Sequence, residues 1–592
     1  MAAECCLWLD VIYDDGSAVW GTGDAQVQCR QGTHDWERVV GVFRPENPVK
    51  RISFHTLFRG APTGKAEFRN VVLERREPRK DEICRKELSD FPRTIPCGGR
   101  HLGPAAVPSG KNAVWIADSM RRVTPLDYPT TEEVRSPEIA LELMRNESES
   151  VQLNLTAAED VDLRDVDLRL PRLVRSDGQT FAGNFKWERV GYIPRRTGCL
   201  PHPLGVNPEW KWLPDPLLPA KPFRVRPAST QGTWLTVRAL PETKPGAYSG
   251  MIDVVCGKEL LHSVRITVEV AEAVLPRRFA TQNSFSVLDG FTRSAYPDRF
   301  RQMKRESWSV LLDHRMSPDD ISRFKTPDLD DIGYACDRGM NVFNVLNVVP
   351  EPEDPMTPVV YTAEAGVLAS NEFYRSFLAR LRPVVADVKR HGHMNLAYVY
   401  GFDERGSEYY PVMREFRRRL RRDMPGIHLL STSRAYRDLS IGENGLTGPF
   451  DVCDWFCPLL SDWRPEISEG LRRQGKKAWW YVSGIPDYPY ANFASIEHPL
   501  IEARILGWMT HLYGVDGFLY WAVNFWERSN GLLKTDDTYL DWDSTIDNHH
   551  HGDGVLIYPG ADHILPSIRL ANIRDGIEDG ELLRTLPKSE SD

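Results

Sequence analysis

The stretch LAYVYGFDERGSEYY, residues 396–410, sets Asp403 and Glu404 side by side at the end of an apolar run. Side chains on a strand alternate faces, so neighbours in regular strand geometry cannot aim at one target. Carboxylates held close also raise one another's pKa. An Asp-Glu pair after a core strand is ordinarily a solvated turn; what sets this pair apart is its company. AWWYVSGIPDYPYANF places Trp480, Tyr481, Asp487, Tyr490 and Asn492 at or just past the end of another apolar run, and GFLYWAVNFWERSNG places Trp521, Asn524, Trp526 and Glu527 past the next. Any single Trp is more often core than platform. Two aromatic-rich rims beside a carboxylate pair suit acid–base work on a ligand with a flat apolar face and many polar groups.

The elements that would hold these residues are strands alternating with helices. After residue 280 the strand patterns SFSVLD, NVFNVLN, LAYVYGF, HLLSTS, DVCDWF, AWWYVS, GFLYWAV and GVLIYPG recur, with helical stretches such as 371–391 and 501–514 between them. In VMREFRRRLRRDM, Val412, Phe416 and Leu420 form an i, i+4, i+8 stripe beneath an arginine-rich face that reads as solvated surface. Eight strands with helical crossovers in ~310 residues predict an α/β fold, a (β/α)8 TIM-type barrel over 276–592. Its chemistry would lie at the C-terminal strand ends, where Asp403 and Glu404 stand.

Upstream the chain reads as β-sandwich. Leu7, Leu9, Val11 and Tyr13 alternate in residues 1–78, and RISFHTLFR and AEFRNVVLE follow as strands. The segment GTHDWERVVGVFRPENPVKRISFHTLFRGAPTGKAEFRNVVLE resembles the second half of a carbohydrate-binding jelly roll, making 1–78 a partial module. Residues 79–112, rich in charge, Pro and Gly, read as a linker. Residues 113–275, with IALELMRNESESVQLNLTA and PGAYSGMIDVVCGKELLHSVRITVEV, read as a second β-sandwich.

Bulk properties exclude several classes. At 592 residues the chain exceeds one hydrophobic core, and its 41% hydrophobic and 27% charged content is globular. No apolar run of ~18 residues exists to span a membrane. A net charge of −9 argues against nucleic acid as the main partner. The opening MAAECCLWLD shows no secretory signal pattern. Ten Cys form no disulfide framework, and Cys453 and Cys457 read as small core residues. Asn146-Glu-Ser and Asn154-Leu-Thr are glycosylation sequons that matter only in a secreted chain. Asn548, His549, His550 and His551 read as a loop rather than a metal site, because no Cys or acid stands at a ligand spacing. No cofactor is expected. Ester hydrolases, metalloproteases and nucleotide enzymes have no motif here.

The pair's adjacency constrains its chemistry. Ordinary glycosidases hold two carboxyls ~5–5.5 Å apart if retaining and ~6.5–9.5 Å if inverting. Neighbours that diverge from one strand end cannot clamp both faces of a sugar ring. They can instead take different roles. The first holds the N–H of a 2-acetamido group, the second protonates the leaving oxygen, and the acetamido carbonyl attacks the anomeric carbon. At YGFDE, ARILGWMTHLYGVDGFLYWAVNFW and GDGVLIYPG…LPSIRLANIRDGIEDGELL the chain resembles glycoside hydrolase family 123, over about 113–588. The resemblance implies a retaining β-N-acetylgalactosaminidase on a sandwich-plus-barrel scaffold, a glycan or glycolipid substrate, and an extracellular or lumenal setting. It also implies the acid at Glu404 and the acetamido-orienting carboxylate at Asp403. Galactosamine over glucosamine comes from the resemblance alone.

Trp480, Tyr481, Tyr490, Asn492, Trp521, Asn524 and Trp526 are the expected sugar-binding residues. Arg569, Arg574, Asp575 and Glu578 are expected to lock the last helix, with Gly576 and Gly580 as tolerated costs within it; DGELL stands where the family pattern would have DYEYL. Two rival readings stay open. One is a conventional retaining glycosidase with Glu404 as acid and Glu527 as nucleophile; the other is a non-catalytic carbohydrate-binding protein.

Overall fold

The computed structural model describes residues 4–14, 18–20, 26–28, 35–36, 43, 45, 48–59, 67–73, 111–130, 133–134, 137–194, 212–349, 365–526, 534–537, 545–546 and 550–585. Most of the expected linker, Glu527, Asn548 and His549 lie outside these residues. The chain divides into two compact units, one of Met1–Phe91 with Arg196–Leu200 and Thr545–His550, the other of the remainder. In the first unit, strand Glu4–Tyr13 pairs antiparallel with Val49–Arg59 and with Ala18–Trp20 and Gln26–Gln28. Val11 and Tyr13 of its alternating face are buried. Residues 67–73 of AEFRNVVLE, expected as a strand, have no regular strand structure among the described residues.

The second unit opens with two sheets. One runs in the order Trp212–Leu218, Gly183–Pro194, Thr230–Ala239, Ser148–Thr156, Ala113–Asp118. The other runs Phe223–Val225, Leu163–Arg169, Gly246–Cys256, Glu259–Val274, Glu138–Arg145. Leu153, Leu155, Leu235 and Val237 of the first share one core with Val166, Leu168, Ile252, Val254 and Ile266 of the second. Both sequon asparagines are buried in this part, and Asn146 donates through Nδ2 to Leu275 O at 2.9 Å, so neither is open to a glycan in the folded chain.

A parallel eight-stranded sheet follows: β1 (Gln282–Ser286), β2 (Pro318–Asp319), β3 (Phe343–Asn347), β4 (Ala397–Tyr400), β5 (His428–Ser431), β6 (Trp455–Phe456), β7 (Lys477–Val482) and β8 (Gly517–Tyr520). Its order, β2-β1-β8-β7-β6-β5-β4-β3, curls it into a nearly closed barrel. Alternate residues point inward, and Tyr398, Tyr400, Leu430, Trp455, Trp479, Tyr481 and Leu519 fill the interior as one apolar cluster. Seven strands are those expected from the sequence; the eighth is not. GVLIYPG contributes only Tyr558–Pro559, which pairs with Ile564–Leu565 in a separate two-stranded sheet. The eighth barrel position is β2, two residues long and holding Pro318 and Asp319, too short and polar to show an alternating pattern.

β2 and β3 are joined mainly by side chains, with one backbone bond from Asn347 N to Arg323 O at 2.6 Å. The Asn344 backbone amide donates to Asp319 Oδ1 at 2.8 Å and Oδ2 at 3.0 Å, and the same carboxylate accepts from Ser284 Oγ at 2.9 Å and Tyr398 OH at 2.7 Å. Asn344 Nδ2 and Asn347 Nδ2 lace the join further, to Asp320 O at 2.9 Å and Ile321 O at 2.7 Å. Fully buried, Asp319 thus makes hydrogen bonds where a longer strand would have used its backbone.

On the outside, helix Tyr410–Asp423 buries Met413, Phe416 and Leu420, with Val412 only half-buried, and its arginines pair with Asp451, Asp454, Glu415 and Asp423. Among the described residues no helix is long and apolar enough to cross a membrane. The last helices, α1 (Leu500–Leu512) and α2 (Ile568–Thr585), pack closely. A Cβ on Gly507 would fall 1.7 Å from Gly576 O, one on Gly576 would fall 2.3 Å from Arg504 O, and one on Gly580 would fall 2.8 Å from Gly507 O. Gly576 and Gly580 are therefore requirements of the α1–α2 contact rather than tolerated costs. In an exposed helix Gly→Ala gains roughly 0.5–1 kcal/mol. Here Gly576→Ala and Gly507→Ala should each instead lose ~1–3 kcal/mol through overpacking, read as a fall in Tm; an unchanged or raised Tm would refute the close approach.

Candidate active site

β4 ends at Tyr400 and the backbone then turns in an uncommon way. Phe402 has φ 58° and Glu404 φ 49°, both left-handed, a conformation that costs a non-glycine residue of order 1–3 kcal/mol. Surrounding contacts hold the turn. The Phe402 ring is buried and lies edge-on to Phe416 at 5.7 Å, Ser431 Oγ donates to Phe402 O at 3.2 Å, and the Glu404 amide donates to Thr432 Oγ1 at 3.2 Å. The turn breaks the strand alternation that would send neighbouring carboxylates to opposite faces. Both acids now meet residues of the barrel interior, on different sides of its mouth.

Asp403 lies toward β4 and β5. Its Oδ1 accepts from Tyr400 OH and from Thr432 Oγ1, the latter at 2.7 Å. Glu404 reaches toward β7, where Tyr481 OH donates to its Oε1 at 2.5 Å. The residue as a whole is exposed, yet its carboxyl end rests against the buried Tyr481 ring. Loss of water there raises the Glu404 pKa above the ordinary carboxylate range, and the Asp403 charge raises it further; the Tyr481 hydrogen bond and the charges of Arg434 and Arg437 pull it the other way. Burial and the neighbouring Glu404 push the Tyr481 phenol far up, so it remains a donor.

Trp521, past the end of β8, is half-buried against the same interior cluster as Tyr481. Its Nε1 donates to Asp553 Oδ1 at 3.1 Å, and Asp553 also accepts from Gly484 N at 2.7 Å and Tyr520 OH at 2.9 Å. Asp553 therefore ties the loops after β7 and β8 together. Tyr490 stands 42% exposed on the loop after β7 and Asp487 is exposed beside it, both open to a ligand.

Four expected sugar contacts lie elsewhere. Trp480 faces away from Tyr481, as strand alternation requires, and packs on Trp463 and Tyr513 at 5.2 and 6.2 Å. Trp526 is buried with Nε1 donating to Ile557 O at 2.8 Å. Asn492 is buried and donates to Ser483 O and Pro486 O while accepting from Ala494 N, which folds its own loop. Asn524 donates to Leu288 O and Thr292 Oγ1 and accepts from Leu288 N, clamping the segment after β1. The structure thus gathers Asp403, Glu404 and Tyr481, with Trp521 along the same interior. Reading by sequence missed Tyr400, Thr432 and Asp553. Tyr400 shares a face with Tyr398 by alternation and Asp553 stands between two glycines, whereas Thr432 gives no signal beyond its strand-end position.

His550 and His551, expected in a loop, form a short strand instead. His551 is buried with Nε2 3.8 Å from Glu497 Oε1. Asp536, Asp562 and His563 approach one another closely enough to share an ion, but Asp536 is already paired with Lys221 at 2.9 Å and His563 with Asp562 at 2.9 Å.

Residues 356–586 match the family model of the glycoside hydrolase 123 catalytic domain. In shape the chain is similar to a family 123 glycoside hydrolase from Clostridium perfringens, described in the context of glycolipid glycan hydrolysis. The identity is 13% and the TM-score 0.59, over 80% of this chain and 88% of that one. A family 39 glycoside hydrolase from Bacteroides cellulosilyticus WH2 aligns over 74% of this chain and 81% of its own at 10% identity, with a TM-score of only 0.33. No curated protein matches in sequence.

Because the Tyr481 hydroxyl stabilises the Glu404 carboxylate, Tyr481→Phe should raise the Glu404 pKa above its value in the parent chain. Carbon NMR of the labelled Glu404 carboxyl across a pH series reads this directly. A fall, or no movement, would mean that this hydroxyl does not hold the carboxylate.

Proposed function

We propose that this chain, which carries a glycoside hydrolase family 123 catalytic domain across residues 356–586, removes terminal β-linked N-acetylgalactosamine by a retaining, substrate-assisted route. The observation that carries the reading is the unequal setting of two adjacent acids. Asp403 has one oxygen held by two hydroxyls, which leaves Oδ2 free of hydrogen bonds among the described residues and able to accept the acetamido N–H. Glu404 has a raised pKa, as a proton donor working near neutrality needs. In the first step the acetamido oxygen bonds to the anomeric carbon as the glycosidic bond breaks, and the Glu404 proton goes to the departing oxygen. In the second, Glu404 takes a proton from water, which opens the cyclic intermediate and restores the original configuration. Positive charge grows on the acetamido nitrogen in between, and the Asp403 carboxylate stabilises it. Trp521 supplies a ring for the apolar face of the sugar, with Tyr490 at the rim. The choice of the galacto epimer rests on family likeness alone.

Glu404→Gln should lose ~10²–10⁴-fold on substrates with poor leaving groups and much less on an activated nitrophenyl glycoside. Asp403→Asn should lower kcat on both. A 2-acetamido glycoside should be cleaved while its 2-hydroxy counterpart is nearly inert, and a thiazoline resembling the cyclic intermediate should inhibit. Labelling of Glu527 by a 2-fluoro sugar, with thiazoline without effect, would replace this mechanism by an ordinary retaining one.

A further inference from the structure

Three arginines stand beside Glu404: Arg405 follows it in the chain, and the charges of Arg434 and Arg437 act on its carboxyl. Their partners differ. Arg437 Nε pairs with Asp462 at 2.5 Å, and Arg437 O accepts from Arg464 Nη2 at 3.2 Å. Arg405 stacks on the Tyr409 ring at 4.9 Å. Arg434 is exposed, and its side chain has no hydrogen bond or ion pair among the described residues. Asp462 pairs with Arg437, and Asp438 accepts from the Tyr410 hydroxyl at 2.6 Å.

The backbone at Arg434 is held in place. It opens the short helix Arg434–Tyr436, two residues beyond Thr432, and its amide donates to Arg405 O at 2.9 Å, one residue past Glu404. A cation here works against a general acid, because it favours loss of the very proton the acid must keep. The needs of Glu404 therefore do not explain it. A terminal sugar seated in the barrel mouth directs its leaving group toward solvent, so the surface beside the proton donor flanks that leaving group.

We propose that Arg434 receives an anion, a carboxylate or a sulfate, on the unit that departs from the cleaved bond. Resting on the glycosidase reading above, the substrate class is then an acidic glycan, with the N-acetylhexosamine attached to a uronate or to a sulfated sugar. A guanidinium suits both anions through paired N–H donors.

The test compares three disaccharides with N-acetylgalactosamine β-linked to glucose, to glucuronate and to 6-sulfoglucose. At least one anionic substrate should show kcat/KM about tenfold above the neutral one at low salt, the worth of one charge-assisted contact at an exposed rim, carried mainly by KM. The advantage should shrink at 1 M salt, where screening acts within roughly 3 Å. Arg434→Gln should abolish it at unchanged Tm, and Arg434→Lys should restore part of it. A preference for the uronate or for the sulfate, lost in Arg434→Gln, supports the proposal and identifies which anion the site takes. Equal cleavage of all three, or a preference that survives in Arg434→Gln, overturns it and leaves the glycosidase reading intact. Cleavage of none overturns both.

Discussion

The mouth of the barrel depends on one buried ion pair. Arg569, 1% exposed, meets the fully buried Asp215 at 2.9 Å, and Tyr558 OH donates to the same carboxylate at 2.6 Å. The guanidinium also donates to the carbonyls of Phe493, Ala494, Gly552 and Val555. Those carbonyls belong to the loops that carry Asp553 and follow β7, so the position of Trp521 descends from Arg569 through one residue of chain and two hydrogen bonds. Burying two charges is expensive, and the pair is tolerable because nearly every donor finds an acceptor; removing one partner from such a pair costs ~3–5 kcal/mol.

A second buried cluster binds α2 to the two sheets. Glu147, Glu149, Asp575, Glu578 and Asp579 lie among Arg315, Arg504 and Arg574. Five carboxyls outnumber three guanidiniums; burial pushes Glu147 up to about 8 and raises Asp575 as well. Acids whose folded pKa is raised hold protons that the unfolded chain releases at lower pH. Their contribution to stability is complete in acid and is lost as pH rises through the raised values, about 8 for Glu147.

Much of this was legible in sequence because the signals are periodic. Seven barrel strands show runs of apolar residues, and Asp403-Glu404 stood out by adjacency at a strand end. What was not legible followed from geometry that no local pattern encodes. Trp480 and Trp526 look like platform residues in sequence, and only the direction of each side chain shows them to be core. Asn492 and Asn524 read as ligand amides until their donors and acceptors are found occupied by loop backbone. Gly576 reads as a weak point of α2 until Arg504 is seen against it. The left-handed turn at Phe402 and Glu404 is the sharpest case, since neither residue type announces such a backbone, and the turn is what lets neighbours serve one mouth.

The side-chain join between β2 and β3 has a mechanical consequence. A barrel closed entirely by backbone ladders is a hoop, in which any change of girth must break several bonds at once. This one is a strip fastened by a clasp, built from Asp319, Asn344 and Asn347. The girth of the barrel is therefore fixed where the two-residue strand β2 meets β3, through a few side-chain hydrogen bonds rather than a ladder.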